Sequence, residues 1–399
     1  MAREYLCPYC FKKSEMGTVD FRCAAKGECE EENDALLAKY KGLETVIAKK
    51  TFQYRKKGLM VKMPEFADCP YCGYTTNKRL CPECHNELPN GIAESRDMTI
   101  SIIGSRDSGK SNYLGVLLSE LERRVIPELR NSTNYSYFGV FDELSKEEYR
   151  KRFGQFLYPD GEKREKRAHV VPRTESAMDK WEPPIVCGLR TKDRKDYFLS
   201  FMDSAGEDFE DKLKMEKVMP YIACSKGIIF LLDPLKIAGV RKVIDEKMVT
   251  VSSNNEISDI YKDIILNTAK LIRLDKKMKS TSNIDIPVVI VFSKFDVLRD
   301  MVSPSSILWK ESPHSKIGKF DNNDAMQVSA EVKGLLSEWG AEEFMELVER
   351  EFKNVIYMPC SAFGTTPKDD GTVDMPKSLR IEDAVLWIMK ELKYLPSIN

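Results

Sequence analysis

The chain has 399 residues, of which 42% are hydrophobic and 31% charged, and its formal net charge is −1. This balance is typical of a soluble globular protein with two or three domains, and it excludes a charge field that draws the whole molecule to nucleic acid or anionic lipid. The N-terminus shows no apolar h-region, and the strongest apolar runs are only strand-sized, so we expect a cytoplasmic protein without a signal peptide or membrane segment.

Cysteine is concentrated near the N-terminus. Eight of the eleven cysteines precede residue 85: Cys7, Cys10, Cys23, Cys29, Cys69, Cys72, Cys81 and Cys84. Three pairs are Cys-x-x-Cys, a spacing that lets two thiolates of one turn bind the same tetrahedral ion. Without a secretion signal, such pairs indicate metal rather than disulfides. We therefore predict a zinc-binding module over residues 1–95, with two Zn²⁺ ions held by four cysteines each.

The simplest grouping takes these cysteines in chain order. The first four would hold one ion, and the four between residues 69 and 84 would form a compact zinc ribbon. A grouping that crosses between the two sets remains open. Four cysteines leave no open coordination position, so we expect structural rather than catalytic zinc. His85 is interpreted as a solvated histidine rather than a ligand.

Basic and aromatic residues alternate between the two cysteine groups: Lys49, Lys50, Phe52, Tyr54, Arg55, Lys56, Lys57 and Lys62. Such a patch can contact nucleic acid. Neighbouring acids, including those between Glu28 and Glu32, nearly cancel its charge. We interpret it as the solvated face of a strand or hairpin, with nucleic-acid contact through the zinc module as the alternative.

A phosphate-binding pattern follows the first strong strand, Met98 to Ile103. It consists of Gly104, Ser105, Arg106, Asp107, Ser108, Gly109, Lys110 and Ser111, with Asn112 opening a helix. Glycines let the backbone wrap a phosphate, and the helix N-terminus adds positive potential. In such a loop Lys110 reaches the β- and γ-phosphates, and the Ser111 hydroxyl binds Mg²⁺.

Three further motifs each end an apolar strand. Asp203-Ser204-Ala205-Gly206 follows Tyr197 to Met202, Ser293-Lys294-Phe295-Asp296 follows Pro287 to Phe292, and Ser361-Ala362 follows Val355 to Met358. Doubly wound sheets bind their ligands at the carboxyl ends of strands. An aspartate such as Asp203 holds a magnesium-bound water there, and Gly206 can offer its N–H to the γ-phosphate.

From residue 97 to about 395 the ordered motifs resemble those of the Ras-like and translation-factor-like GTPases. The resemblance implies a doubly wound, mostly parallel α/β sheet that binds GTP or GDP with Mg²⁺. It also implies that Asp296 accepts hydrogen bonds from guanine N1 and N2, that the Lys294 stem packs over the base, and that the backbone at Ser361 and Ala362 meets O6.

Three departures from this family qualify the expected chemistry. Ser293 replaces the usual asparagine, which ties the base loop to the P-loop. Arg106 and Asp107 stand where small residues are common. Glu207 occupies the position of the water-orienting glutamine, so we expect a GTPase with slow intrinsic hydrolysis in which Gly206, Glu207 and Lys110 form part of the catalytic site.

The segment before Pro184 should contain the residue that senses Mg²⁺ and the γ-phosphate. We choose Thr174 and keep Thr133 as the alternative. Arg173 is interpreted as a solvated loop residue, with a role as an arginine finger in cis as the second reading. The GTPase domain, residues 96–399, should carry insertions near 125–183, 234–258 and 300–323.

A zinc ribbon joined to a divergent GTPase domain is also similar to the prokaryotic double-GTPase families, which implies a protein partner within a multi-gene system. The leading hypothesis is a guanine-nucleotide switch that signals to a protein effector or regulator. The alternatives are a non-hydrolysing GTP-sensing scaffold and a P-loop ATPase with zinc-mediated nucleic-acid binding.

Overall fold

The computed structural model describes residues 4–27, 29–58, 61–93, 96–133, 135–140, 143–159, 168–172, 183–192, 196–202, 220–247, 257–373 and 376–399. None of the helices in these ranges combines the length and apolar content that a bilayer-spanning helix requires.

Residues 4–93 form a cysteine-rich module of short hairpins. Its strands are β1 (Glu4–Leu6), β2 (Lys13–Glu15), β3 (Thr18–Arg22), β4 (Glu31–Asn33), β5 (Ile47–Lys49), β6 (Thr51–Arg55), β7 (Ala67–Asp68), β8 (Thr75–Thr76) and β9 (Arg79–Leu80), and its helix is α1 (Ala35–Lys41). Strand β3 lies between β6 and β9 and pairs antiparallel with both. Helix α1 begins at Asp34, which accepts a hydrogen bond from the Leu37 N–H, and it ends at Gly42, whose left-handed φ suits glycine.

The rest of the described chain builds an α/β sheet and its covering helices. The strands are β10 (Arg96–Gly104), β11 (Tyr135–Val140), β12 (Ala168–His169), β13 (Ile185–Thr191), β14 (Asp196–Met202), β15 (Gly227–Leu232), β16 (Val288–Phe292), β17 (Phe320–Asp321), β18 (Val355–Pro359), β19 (Thr372–Val373) and β20 (Ser397–Ile398). The helices are α2 (Lys110–Glu120), α3 (Ile126–Leu129), α4 (Glu143–Tyr149), α5 (Gln155–Leu157), α6 (Ala238–Lys247), α7 (Ile257–Asp275), α8 (His314–Ile317), α9 (Asn322–Glu338), α10 (Glu342–Glu351) and α11 (Asp383–Glu391).

Seven of these strands form one mixed sheet in the order β11-β13-β14-β10-β15-β16-β18. The pairings from β14 through β10, β15 and β16 to β18 are parallel, and the pairings of β13 with β11 and β14 are antiparallel. The predicted strands around the P-loop are therefore present in a largely parallel arrangement. The edge strand β11 lies within the predicted insertion near 125–183 and was not expected.

Both faces of the sheet are buried, as the unbroken apolar runs predict. Along β15, Ile229 and Leu231 join the apolar cluster on one face, whereas Ile228 and Phe230 join the cluster on the other. This period-2 division places helices on both sides, with α2 and α11 on the first face and α7 and α10 on the second.

The cysteine-rich module packs against the antiparallel side of the sheet. Val186 of β13 and Phe198 of β14 belong to the same apolar cluster as Tyr5 and Tyr9 of the module. Conversely, Phe11 of the module belongs to an apolar cluster formed mainly by the sheet and its helices. The two parts therefore share buried apolar surface.

A buried ion network holds the C-terminal helix α11. Arg380 is fully buried on its side chain and donates to Asp324 of α9 (2.9 Å) and to Asp383 of α11 (2.7 Å). Removing one partner of such a network leaves uncompensated charge in the interior.

We predict that Arg380→Leu lowers the free energy of unfolding by roughly 3–5 kcal/mol, because two carboxylates lose their cation. Chemical denaturation of the full chain measures the change. The matched control is Lys316→Leu, which removes an exposed cation 2.7 Å from Glu311 and should leave the unfolding midpoint nearly unchanged. An equal response of both variants would contradict the assignment.

Candidate functional site

The turn between β10 and α2 lies at the carboxyl edge of the parallel strands. Gly104 leaves no room for a side chain, because a Cβ there would lie 2.7 Å from the Ser108 Oγ and 2.8 Å from the Leu231 carbonyl oxygen. Gly109 has a φ of +86°, which only glycine adopts readily. These two glycines allow the tight turn whose N–H groups bind anions in phosphate sites.

Lys110 is folded into this turn. Its Nζ donates to the carbonyl oxygens of Gly104 (2.9 Å) and Ser105 (3.0 Å), and the residue is 7% exposed. The ammonium group therefore lies at the N-terminus of α2, where the helix dipole also contributes positive potential.

The segment after β15 and helix α7 support the turn between β10 and α2. The Ser105 Oγ donates to the Tyr261 hydroxyl (2.9 Å), which also accepts the Asp233 N–H (3.0 Å). The Lys236 Nζ donates to the Arg106 carbonyl oxygen (2.7 Å). Neither Tyr261 nor Lys236 was predicted, because a tyrosine in an amphipathic helix and a lysine in an insertion carry no sequence signal for such contacts.

Asp296 is held by hydroxyl groups from the loop after β18. Its Oδ1 accepts a hydrogen bond from the Ser361 Oγ (2.5 Å) and its Oδ2 from the Thr366 Oγ1 (3.3 Å). The Gly364 N–H in turn donates to the Ser361 Oγ (2.7 Å). Since a carboxylate offers about four acceptor positions, Asp296 keeps capacity for two further donors.

Lys294 links this loop to the segment after β15 and lies beside the turn between β10 and α2. It has a φ of +50°, and its Nζ lies 2.7 Å from the Asp233 Oδ2. Its Cε lies 3.8 Å from the position that a Cβ would have on Gly109. The neighbouring Ser293 Oγ donates to the Leu232 carbonyl oxygen, so it bonds to β15 and not to the phosphate-binding turn.

A short segment after β12, residues 170–172, which we call the strap, lines another side of the cleft. Strand β12 pairs antiparallel with β19, and the Val170 N–H donates to the Gly371 carbonyl oxygen (3.1 Å). The Val171 N–H donates to the Asn112 Oδ1 (2.8 Å). Asn112, which directly follows the phosphate-binding pattern, therefore fixes the strap to the start of α2.

These elements enclose one cavity of about 630 Å³, a size typical of small-molecule and cofactor sites. Its walls are residues 106–113, the strap at 170–172, Lys294 and Asp296, and parts of the loop from 360 to 367. Burial, together with the charges of Asp383 and Glu382, raises the pKa of the Cys360 thiol in this wall well above its usual value. That thiol therefore remains neutral.

The structure brings most of the predicted nucleotide-binding residues together. Those that line the cavity are Arg106, Asp107, Ser108, Gly109, Lys110, Ser111, Asn112, Lys294, Asp296 and Ala362. Gly104, Ser105 and Ser361 lie behind them as hydrogen-bond partners of Lys110 or Asp296. The predicted Arg173, Thr174, Asp203, Gly206 and Glu207 lie outside the described residues.

Thr133, the alternative to Thr174, does not lie at this site. Its Oγ1 donates to the Leu129 carbonyl oxygen (2.7 Å) just after α3, and it does not line the cavity. The chain after α2 continues as helix through Leu129, so Thr133 follows the far end of that helix and the structure lends this alternative no support.

The eight N-terminal cysteines form two clusters. Cys7, Cys10, Cys81 and Cys84 make one, and Cys23, Cys29, Cys69 and Cys72 make the other. Grouping in chain order was therefore wrong, and the crossed grouping is correct. The reason is the antiparallel pairing of β3 with β9, in which Asp20 faces Leu80 and Phe21 faces Arg79. This pairing places the chain after β9 on the side of β1, and the chain before β8 beside Cys23.

The three Cys-x-x-Cys turns repeat one backbone pattern. The N–H of the residue after each second cysteine, Phe11, Gly73 or His85, donates to the carbonyl oxygen of the first cysteine at 2.8–3.0 Å. Each of these three residues has a φ between +54° and +73°. The repeated turn presents both sulfur atoms of a pair on one side.

The sulfur spacing fits a tetrahedral four-thiolate site. The Sγ atoms of Cys7 and Cys84 and those of Cys10 and Cys81 lie 3.8 Å apart. In the second cluster the separations are 3.5 Å from Cys23 to Cys72 and 3.9 Å from Cys29 to Cys69. A tetrahedral ion with Zn–S bonds of about 2.3 Å requires sulfur separations of about 3.8 Å. Both clusters meet this requirement.

His85 is not solvated, contrary to our expectation. Its side chain is 12% exposed, and its ring nitrogens lie 2.8 Å from Asp34 and 3.0 Å from Asp20. Burial alone lowers the pKa of this imidazole, but the hydrogen bonds and charges of Asp20 and Asp34 outweigh burial and leave the pKa raised. The left-handed turn after Cys84 places the ring between these two acids, so His85 braces the module.

His314, Asp324 and Asp383 form a third group of potential ligand atoms. Arg380 already pairs with both carboxylates at 2.7–2.9 Å. Burial lowers the pKa of His314, and its Nδ1 accepts the Asp321 N–H. The guanidinium group of Arg380 therefore already neutralises these carboxylates, and we assign no metal ion to this group.

No family model matches the chain. A curated protein, the putative ESX-1 scaffolding and assembly protein SaeC of Mycolicibacterium smegmatis (strain ATCC 700084 / mc(2)155), is 23% identical over 238 residues, which are 58% of this chain. The match covers 54% of SaeC, so this chain spans about half the length of that relative.

Solved structures that resemble the chain do so at low identity and low TM-score. The signal recognition particle receptor SRb-GTP/SRX complex of Chaetomium thermophilum has 15% identity and a TM-score of 0.29 over 68% of this chain and 93% of its own. The bacterial selenocysteine-specific elongation factor EF-Sec has 12% identity and a TM-score of 0.28, and the match covers 76% of this chain and 30% of EF-Sec. The Arl6 BBS3 small GTPase of Trypanosoma brucei, with the bound nucleotide analogue GppNp, has 11% identity and a TM-score of 0.29. That match covers 75% of this chain and 99% of the Arl6 chain.

We predict that zinc binding follows the crossed grouping of the cysteines, with one ion in each of the two clusters. Cys7→Ser with Cys81→Ser disrupts one cluster, so the double variant should retain one of two zinc ions. Cys7→Ser with Cys23→Ser disrupts both clusters and should retain none. Elemental analysis of protein purified without chelator measures the content. Equal zinc content in the two double variants would contradict the grouping, and wild-type protein without zinc would contradict the metal assignment.

Proposed function

We propose that this chain is a guanine-nucleotide switch that binds GTP with Mg²⁺ and hydrolyses it slowly, with two structural zinc ions in its N-terminal module. The observation that carries the proposal is the single cleft shared by the P-loop and Asp296. The P-loop would supply an anion site, and Asp296 would supply a paired acceptor in the wall of the same cavity.

The phosphate end depends on the P-loop backbone and Lys110. Gly104 and Gly109 permit the turn, and the ammonium group of Lys110 already lies inside it, bonded to two backbone carbonyl oxygens. Binding of an anionic phosphate would exchange these neutral acceptors for charged ones, which form stronger hydrogen bonds. Ser111, with Asp203 and Thr174 in the sequence-based proposal, would hold Mg²⁺, which neutralises phosphate charge in this chemistry.

The base end favours guanine over adenine. Guanine presents two donors, N1–H and the N2 amino group, to a carboxylate, whereas adenine presents no such pair. Ser361 and Thr366 donate to Asp296, so the carboxylate is oriented before the base arrives. Lys294 is held by Asp233 with its stem over Gly109, a placement suited to covering one face of a base.

The second candidate is a scaffold that binds GTP without hydrolysing it. Glu207 favours this candidate, because a carboxylate cannot donate a hydrogen bond to the phosphate. The name of SaeC, a putative ESX-1 scaffolding and assembly protein, is also compatible with a role in a multi-protein system. In both candidates a protein partner would recognise the nucleotide state.

Base choice gives the sharpest test. Wild type should bind GTP in preference to ATP, and Asp296→Asn should lose GTP and gain xanthosine triphosphate, because xanthine has a carbonyl where guanine has an amino group. A mismatch of this kind is worth roughly 10⁴-fold in specificity. Competition against a fluorescent nucleotide measures the affinities for GTP, ATP and xanthosine triphosphate. Asp300→Asn, the same change at an exposed position of the same loop, is the matched control.

Two results would overturn the proposed base site. One is a wild-type preference for ATP. The other is equal nucleotide specificity of wild type and Asp296→Asn. Lys110→Ala checks the phosphate end separately, because it should abolish tight binding of every triphosphate without changing base preference.

Hydrolysis should be slow in the isolated protein. A carboxylate at position 207 would repel the γ-phosphate by a few kcal/mol if it lay about 6 Å away at an effective dielectric near 20. We therefore expect a single-turnover rate at or below about 10⁻⁴ per second, with Glu207→Gln at least as fast. Fast hydrolysis by the wild type that is lost in Glu207→Gln would show that the glutamate is a competent catalytic residue. Absence of hydrolysis in both would favour the scaffold.

A further inference from the structure

Phe11 connects the first cysteine knuckle to the sheet. Although it directly follows Cys10, it belongs to an apolar cluster of the sheet and is 5% exposed. Its ring centroid lies 5.2 Å from that of Tyr221, and its carbonyl oxygen accepts a hydrogen bond from the Cys224 Sγ (3.3 Å). Both the side chain and the backbone of Phe11 therefore contact the segment at 220–224.

The Tyr221 hydroxyl lies between two neighbouring strands. It accepts the Met202 N–H (3.2 Å) at the end of β14 and donates to the Ile100 carbonyl oxygen of β10. The last register pair of these parallel strands is Ser101 with Met202. A side-chain hydroxyl thus joins the backbone donor and acceptor at the point where the β10–β14 ladder ends.

The position of Tyr221 is fixed from its own backbone as well. The Ser225 Oγ donates to the Tyr221 carbonyl oxygen (3.0 Å) and lies 2.5 Å from the Ser101 Oγ of β10. Tyr221 is 1% exposed. Because interiors are close-packed, a displacement of the end of β14 cannot leave Tyr221 and the ring that packs on it unchanged.

We propose that Tyr221 is a positioning residue for the nucleotide site, and that Phe11 couples the cysteine-rich module to it. Met202 directly precedes Asp203, the proposed magnesium residue, and β10 runs on to Gly104 of the P-loop. Tyr221 therefore fixes the relative position of the two strands that lead to the phosphates. The inference rests on the proposed function and assigns to the module a share in sensing nucleotide state.

Coupling of this kind is reciprocal: if the knuckle biases nucleotide preference, the nucleotide must bias the knuckle by the same factor. The first measurement is the ratio of affinities for a non-hydrolysable GTP analogue and for GDP, with Mg²⁺, in the full zinc-loaded chain. Phe11→Leu keeps an apolar side chain but loses the ring contact. Tyr221→Phe keeps the ring but loses the hydroxyl bridge.

We expect each variant to change this ratio by about tenfold, within the usual range of coupling between sites. The double variant should change it no more than the stronger single variant, because both changes act on one linkage. Phe66→Leu, an aromatic replacement at a 60% exposed position of the module, is the matched control and should leave the ratio unchanged. Zinc content should equal that of wild type in all four.

The second measurement needs no variant. Hydrogen exchange of the backbone amides at residues 7–12 should differ between the two nucleotide states of the wild type. Identical exchange together with an unchanged affinity ratio in Phe11→Leu would overturn the coupling, even if Tyr221→Phe fails to fold. Wild-type protein that binds neither nucleotide would instead contradict the proposed function, and the coupling with it.

Discussion

The end of β10 is the constraint on which the cleft depends. This strand is parallel to both of its neighbours, β14 and β15, so three strands deliver their carboxyl ends to the same edge. The chain must leave that edge at once, because the Leu231 carbonyl oxygen lies 2.8 Å from any Cβ placed on Gly104. A glycine followed by a tight turn is the solution that keeps the edge open. The turn between β10 and α2 is thus a consequence of the sheet as much as of the motif.

The cysteine-rich module depends on the same sheet in another way. Its apolar cluster is small and is completed by Val186 and Phe198 of β13 and β14. Its remaining order comes from two sulfur clusters and from His85, which joins Asp20 and Asp34. Segments this short bury little apolar surface of their own, so docking on the sheet and the two four-cysteine clusters stabilise the module in place of a large core. Phe11 shows the relation in reverse, since it adds to the core of the sheet.

Local signals in the sequence predicted the central strands and most of the candidate nucleotide-binding residues that the structure brings to one cavity, because strand period, glycine and turn chemistry act over a few residues. The cysteine grouping could not be chosen, since it depends on which strand pairs with β3, a contact between residues about 60 positions apart. The strap at 170–172 was not predicted for the same reason, because distant parts of the chain, β19 and Asn112, hold it in place. Tyr261 is an ordinary member of an amphipathic helix until the fold places it under the P-loop.

The serine at position 293 is accommodated by other bonds in this structure. Ser293 bonds to β15, and the loop that carries Asp296 is instead held at three points: Lys294 on Asp233, the Phe295 N–H on the Cys360 carbonyl oxygen, and Asp296 on Ser361. Two of these contacts reach the loop after β18, so the loop that carries Asp296 is braced from both β18 and β15. Lys294 also lies beside the turn after β10, with its Cε 3.8 Å from the position that a Cβ would have on Gly109. The loop that carries Asp296 and the turn after β10 therefore meet beside one charged side chain, Lys294, whose position depends on Asp233.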